Sequence, residues 1–89
     1  MNDLRLAFGK RLKELRERAD VSQEELADRA HVHWTYLSDL ERGQQAPTLD
    51  VVNRLARALD VTLASLFSPF DQHFRMRFRK PRQDQRRTR

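Results

Sequence analysis

The side chains best able to do chemistry in this chain lie within residues 21–43. This segment predicts two short helices joined by a tight turn. The outer face of the second helix is polar, whereas Leu37 and Leu40 occupy its inner face. A helix presented in this way fits the major groove of DNA, which is roughly as wide as an α-helix with its side chains. We therefore expect a nucleic-acid-binding surface in this segment.

Local signals position the two helices of this segment. Ser22 and Glu25 have the spacing of a capping box, so the first helix begins at the residue after Ser22. The second helix is expected over residues 34–41, and Gly43 is placed to end it. The turn between them starts at His31, which we expect in the left-handed conformation because histidine is among the residues enriched at positive φ.

Apolar residues at helical spacing predict three further helices around this pair. One covers residues 3–18, one begins after Thr48, and a short one begins after Thr62 and stops at Pro69. Their apolar stripes are Leu4, Phe8, Leu12 and Leu15, then Leu49, Val52, Leu55, Ala56 and Leu59, then Leu63, Leu66 and Phe67. The pattern predicts one all-α domain of five helices over residues 1–68.

Charge separates this domain from a basic C-terminal extension over residues 69–89. The chain has 89 residues and a net charge of +5, yet residues 1–68 carry ten Lys and Arg against eleven Asp and Glu. Residues 69–89 carry eight Lys and Arg against two Asp, so they supply the whole excess. A cationic extension is attracted to any polyanion, including nucleic acid. It is therefore either a solvated segment or a sequence-independent contact with DNA phosphates.

Within the extension, residues 74–78 alternate between apolar and arginine side chains. A period of two predicts a β-strand with one apolar face and one charged face. A single strand is not stable alone, so it requires a partner such as the same strand of a second subunit. Two alternatives remain open: these apolar side chains pack on the helices of their own subunit, or the segment is disordered or touches lipid.

Composition argues against several classes of protein. We expect no metal site, because His31 and His33 are two residues apart and His73 is distant. We also expect no cofactor, because glycine occurs only twice and forms no phosphate-binding loop. No nucleophile and base stand in a catalytic arrangement. The absence of cysteine fits a reducing cytoplasm, and no apolar run approaches the ~20 residues of a membrane span. We therefore expect a non-enzymatic cytoplasmic protein that does not associate with membranes.

Five motifs in order carry a resemblance to a known family. They are Arg-Leu-Lys-Glu-Leu-Arg at 11–16, Ser-Gln-Glu-Glu-Leu-Ala at 22–27, Tyr-Leu-Ser-Asp-Leu-Glu-Arg-Gly at 36–43, Pro-Thr-Leu at 47–49 and Leu-Ala-Arg-Ala-Leu at 55–59. Residues 8–68 resemble the lambda-repressor-like helix-turn-helix domain of the XRE group of bacterial and phage regulators. The resemblance implies a five-helix bundle that binds operator DNA as a dimer and controls transcription.

The same resemblance assigns roles to individual residues. It implies a DNA-binding set of Ser22, Gln23, His33, Trp34, Thr35, Ser38, Asp39 and Arg42. Within this set, Gln23 and His33 match positions that contact phosphate, and Arg42 lies where the family meets the DNA backbone again. The resemblance also implies a structural ion pair between Arg16 and Glu41 that bridges the first helix to the end of the third.

Two residues depart from the family pattern. His31 stands where the family usually has glycine, and Trp34 stands where a polar or basic residue is common. An indole cannot make the bidentate contact of arginine to guanine. Trp34 therefore either faces DNA as an aromatic side chain or packs half-buried in the protein. Asp39 either accepts a hydrogen bond from cytosine N4 or holds a neighbouring arginine.

Surplus apolar side chains after Thr62 favour a homodimer. The expected interface consists of Leu63, Leu66, Phe67, Phe70, Phe74, Met76 and Phe78. A dimer with two-fold symmetry requires a roughly palindromic operator with half-site centres ~34 Å apart. The alternative is an antitoxin-type helix-turn-helix protein, in which the extension binds a partner protein through Phe74, Met76 and Phe78.

Overall fold

The computed structural model describes residues 3–68, and their backbone forms five helices. These are α1 (Asp3–Arg18), α2 (Gln23–Ala30), α3 (Trp34–Glu41), α4 (Leu49–Leu59) and α5 (63–68). The all-α, five-helix prediction is confirmed for this part of the chain. None of these helices has both the length and the apolar character needed to cross a membrane. The predicted strand over 74–78 and the rest of the extension lie outside the described residues.

Side-chain caps begin three of the helices at the expected residues. The hydroxyl oxygens of Ser22, Thr48 and Thr62 each accept a hydrogen bond from the backbone N–H three residues ahead, at 2.9 to 3.1 Å. Each cap satisfies a backbone donor that has no partner within the helix. The capping box predicted at α2 is only half formed, because the Glu25 carboxylate binds Arg29 one turn further on instead of returning to Ser22.

The end of α2 is closed by a left-handed residue and by a side chain from α4. His31 has φ 57° and ψ 46°, as its place in the turn predicts, and its N–H donates to the carbonyl oxygens of Ala27 and Asp28. Arg54 donates from Nη1 to the carbonyl oxygens of Ala30 and His31, at 3.3 and 2.9 Å. Carbonyls at a helix end need such donors, so α4 completes the end of α2.

The core is built from the inner faces of all five helices. Its largest fully buried side chains are Leu12, Leu26, Leu37, Leu40, Leu55 and Leu66. Three apolar residues assigned to the stripes do not enter it, since Leu4, Leu63 and Leu49 are 41%, 47% and 85% exposed. All three stand in the first turn of a helix. Val51 is buried on α4 instead.

Helix α1 approaches the end of α3 closely at Gly9. A Cβ atom built on Gly9 would lie 2.3 Å from the carbonyl oxygen of Leu40 and 2.7 Å from that of Glu41. Both atoms belong to backbone, which cannot move aside as a flexible side chain can. Gly9 therefore allows α1 to lie directly against the C-terminal turn of α3, and this contact helps to set the orientation of α3.

We expect the substitution Gly9→Ala to destabilise the fold. Alanine favours helix by about 1 kcal/mol over glycine, but overpacking against backbone costs about 1–3 kcal/mol or more. The free energy of unfolding, measured by urea denaturation, should therefore fall. Lys10→Ala at the adjacent exposed position is the control and should change it by less than about 0.5 kcal/mol. A stabilised Gly9→Ala variant would contradict the close approach.

Candidate nucleic-acid interface

The helices α2 and α3 are joined by residues 31–33, and α3 turns a polar face away from the core. Leu37 and Leu40 are 0% exposed, as expected for the inner face. On the opposite side Trp34 is 50% exposed, Thr35 is exposed, and the residues at 38 and 39 are partly exposed. The sequence-predicted face therefore exists as a surface of the folded chain, with hydroxyl, carboxylate and indole groups along it.

His33 caps the start of α3. Its Nδ1 accepts a hydrogen bond from the backbone N–H of Thr35 at 3.2 Å. Because Nδ1 accepts this hydrogen bond, the proton of the neutral imidazole lies on Nε2. The Nε2–H group can therefore donate to a partner outside the protein. His33 is exposed, so both the capping role and an external contact fit the same side chain.

A buried ion pair joins α1 to the end of α3. Arg16 Nε lies 2.6 Å from Glu41 Oε2, and Arg16 Nη2 donates to Oε1 at 3.0 Å. The side chains are only 12% and 3% exposed. The hydrogen bonds that Arg16 donates to Glu41 are the main cause that raises the pKa of Arg16 above its usual value, against the effect of burial. The two residues that the family resemblance pairs are therefore in direct contact in this structure.

The ion pair continues into a chain of hydrogen bonds that sequence reasoning missed. Gln23 Nε2 donates to Glu41 Oε1 at 2.9 Å, and Trp34 Nε1 donates to Gln23 Oε1 at 3.2 Å. Arg16 Nη1 also donates to the carbonyl oxygen of Val21 at 2.9 Å. The first residues of α2 and α3 are thus tied to each other and to the buried carboxylate. The Gln23 amide retains one N–H for another partner.

On the outer face of α3, Arg42 binds two side chains of its own helix. Its Nη1 donates to Ser38 Oγ at 2.7 Å, and its Nη2 donates to Asp39 Oδ1 at 2.5 Å. Of the two interpretations of Asp39, the free chain therefore shows the one in which it holds a neighbouring arginine. The pair is electrically neutral, so this part of the face offers hydrogen-bonding groups with no excess charge.

The residues expected at a dimer interface divide between core, surface and the undescribed extension. Leu66 is 0% exposed, so its assignment to an interface is wrong, because the bundle itself covers this side chain. Phe67 is partly buried, with its ring centroid 6.0 Å from that of Phe8. Leu63 is 47% exposed. The other four expected residues, at 70, 74, 76 and 78, lie outside the described residues.

We expect the loss of one partner from the buried ion pair to destabilise the fold far more than the same loss from an equally short surface pair. Glu41→Ala leaves Arg16 and Gln23 without their partner, and breaking a buried pair costs about 3–5 kcal/mol. Glu25 and Arg29 are also 2.6 Å apart, but both side chains are 48% exposed. Glu25→Ala should therefore cost less than about 1 kcal/mol. Urea denaturation of both variants measures the difference, and equal losses would refute a special role for Glu41.

Two helices joined by a three-residue turn, with a polar exposed face on the second, define a helix-turn-helix domain. A family model described as a helix-turn-helix domain matches residues 7–66. The chain belongs to this family, and its class is that of the XRE-like helix-turn-helix regulators.

Similar proteins support the same assignment. The chain is 37% identical over 73 residues to control protein C.MunI of a Mycoplasma species, a match that covers 81% of this chain and 99% of that protein. Control protein C.BamHI of Bacillus amyloliquefaciens is 39% identical over 61 residues, or 67% of this chain and 75% of that protein.

Solved structures agree with these relatives. The crystal structure of the restriction-modification controller protein C.AhdI from Aeromonas hydrophila has a TM-score of 0.73 and 38% identity, covering 74% of this chain and all of that chain. The clp gene regulator ClgR from Corynebacterium glutamicum has a TM-score of 0.73 at 30% identity, covering 79% of this chain and 91% of that chain. This chain is therefore a DNA-binding transcriptional regulator, a non-enzymatic kind of protein.

Proposed function

We propose that this regulator acts as a homodimer on a roughly palindromic operator, with α3 of each subunit in a major groove. The observation that carries the proposal is the exposed polar face of α3, which no other described element covers and whose two ends are anchored to α1 and α2. Two-fold symmetry then requires half-sites about one helical turn, ~34 Å, apart. The match to the whole chain of C.AhdI supports a controller-type role.

Phosphate contacts in the proposed complex come from the start of α2 and of α3. Ser22 Oγ accepts from Glu25 N–H, which leaves its own hydroxyl hydrogen for a phosphate oxygen. Gln23 supplies its remaining amide N–H, and His33 supplies Nε2–H. Contacts of this type position a protein on the duplex without reading its sequence.

Base reading in the proposed complex falls to the middle of α3. Thr35 and Ser38 offer hydroxyl groups. Asp39 offers Oδ2, the carboxylate oxygen that Arg42 does not bind, and this oxygen can accept from cytosine N4. Because Arg42 neutralises Asp39 in the free protein, the carboxylate enters the groove without an unpaired negative charge. Arg42 then lies beside the backbone, where its guanidinium can bind phosphate.

The proposed subunit contact begins at Leu63, which is 47% exposed on α5. The apolar residues that follow along the chain, Phe70, Phe74, Met76 and Phe78, extend it. Since only the dimer would span both half-sites, assembly and DNA binding are linked, and occupancy of the operator follows protein concentration.

Selection of bound duplexes from a random pool tests this proposal. We expect the wild-type chain to enrich a site with two-fold symmetry, and we expect Thr35→Ala and Asp39→Ala each to change the preferred bases at a few symmetric positions. Lys13→Ala, on the exposed side of α1, is the control and should keep the wild-type preference. Uniformly weaker binding by both variants would show that α3 does not read sequence. Enriched sites without symmetry would contradict the dimer.

The positive charge that could bind DNA phosphates is unevenly distributed along the chain. In the segment 22–43, five Asp and Glu stand against two Arg, so the helix-turn-helix itself is acidic. We infer that the basic extension supplies phosphate contacts, because it carries the excess of positive charge that the segment 22–43 lacks. Deleting residues 80–89 removes five Lys and Arg and one Asp.

The deletion should flatten the salt dependence of DNA affinity. The slope of log K against log salt is negative, and each phosphate contact that is lost makes it less steep by about 0.9. Fluorescence anisotropy over a range of salt concentrations measures this slope. A full-length variant with the same five residues changed to glutamine is the control and should behave like the deletion. An unchanged slope in both variants would mean that these residues make no DNA contact.

A further inference from the structure

We propose that Trp34 is a specificity-determining residue that recognises thymine through the C5-methyl group, by apolar contact rather than by hydrogen bonding. The inference rests on the proposed function, because it requires α3 to lie in the major groove. Trp34 is the first residue of α3, where the N-terminal part of a recognition helix meets base edges.

The hydrogen-bonding capacity of Trp34 is already used within the protein. An indole has one donor, Nε1–H, and no acceptor. In this structure that donor points to Gln23 Oε1 at 3.2 Å. The side chain therefore has no polar group left with which to bind a base.

The exposed part of Trp34 is consequently an apolar surface. Half of the residue is accessible to solvent, although its neighbours in sequence, His33 and Thr35, are polar. Among the base-pair edges in the major groove, the C5-methyl group of thymine is the apolar feature. An indole with its donor occupied matches this group, and it does not match the acceptors of guanine or adenine.

The hydrogen-bond chain behind Trp34 keeps the ring in place. Gln23 is held in turn by Glu41, whose carboxylate is 3% exposed and bound by Arg16. Freeing the indole N–H for a base would leave the Gln23 carbonyl oxygen without its partner. The structure therefore presents the ring in a fixed orientation before DNA arrives, which favours shape-based contact with one methyl group over adaptable hydrogen bonding.

Thymine and uracil test the proposal, because they pair identically and differ only in this methyl group. Each thymine of the selected operator is replaced in turn by deoxyuridine, and binding is measured by anisotropy. Burial of one methyl group corresponds to about a fourfold change in affinity. We expect wild-type binding to weaken about fourfold at one position in each half-site. Deoxyuridine at the other thymines should weaken binding less, except at a thymine that faces the methyl group of Thr35.

Two variants assign the effect to Trp34. Trp34→Phe keeps an aromatic surface and should still prefer thymine at that position. Trp34→Gln keeps a donor for Gln23 but lacks the ring, so it should bind the thymine and uracil operators equally well. Lys13→Ala, on the exposed side of α1 and outside the proposed interface, is the control and should leave the preference at the Trp34 position unchanged. Thermal unfolding of each variant checks that the fold is retained.

The outcomes separate this inference from the proposed function. If no sequence is enriched from the random pool, operator binding itself is contradicted. If an operator is found but no uracil substitution weakens wild-type binding, only the role of Trp34 is overturned. It is overturned equally if Trp34→Gln keeps every preference for thymine that the wild type shows. Should Trp34→Gln fail to fold, Trp34→Ala, which also lacks the ring, takes its place, and an unchanged preference for thymine in that variant overturns the role of Trp34.

Discussion

The arrangement of the polar face of α3 depends on the burial of one carboxylate, that of Glu41. A charged group that is 3% exposed must be compensated, and Arg16 does so with two hydrogen bonds. Because Arg16 belongs to α1 and Glu41 ends α3, the pair joins the helix that would enter DNA to the longest helix of the bundle. The close approach at Gly9 acts at the same junction. The orientation of α3 thus follows from a few short-range constraints at its C-terminal end.

The same carboxylate also organises the other end of the surface. Glu41 accepts from Gln23, and Gln23 accepts from Trp34, so the first turns of α2 and α3 are held by one continuous chain of hydrogen bonds. Toward solvent, Ser38 and Asp39 are bound by Arg42. These side chains are therefore held in place by hydrogen bonds within the free protein. Few of its side chains need reordering before they meet a ligand, which lowers the entropic cost of recognition.

Local signals in the sequence were sufficient for most of the fold. The caps at Ser22, Thr48 and Thr62 and the left-handed His31 depend on residues within one turn of each other, and all four are found. The stripe residues that the structure leaves exposed share a physical cause. Leu49 fits the period of α4 yet is exposed, because periodicity gives the direction of a side chain but not the extent of the neighbour that would cover it. The extent of the packed core is a non-local quantity.

The sequence by itself determined the number of helices, their ends and the polar character of the outer face of α3, since these follow from backbone chemistry and from the spacing of apolar residues. It pointed to the partnership of Arg16 and Glu41 only through resemblance to a family. Tertiary structure alone decided that Leu66 belongs to the core and that the donor of Trp34 is used by Gln23. Those facts depend on how separate helices cross, and the crossing is set by packing between residues far apart in the chain.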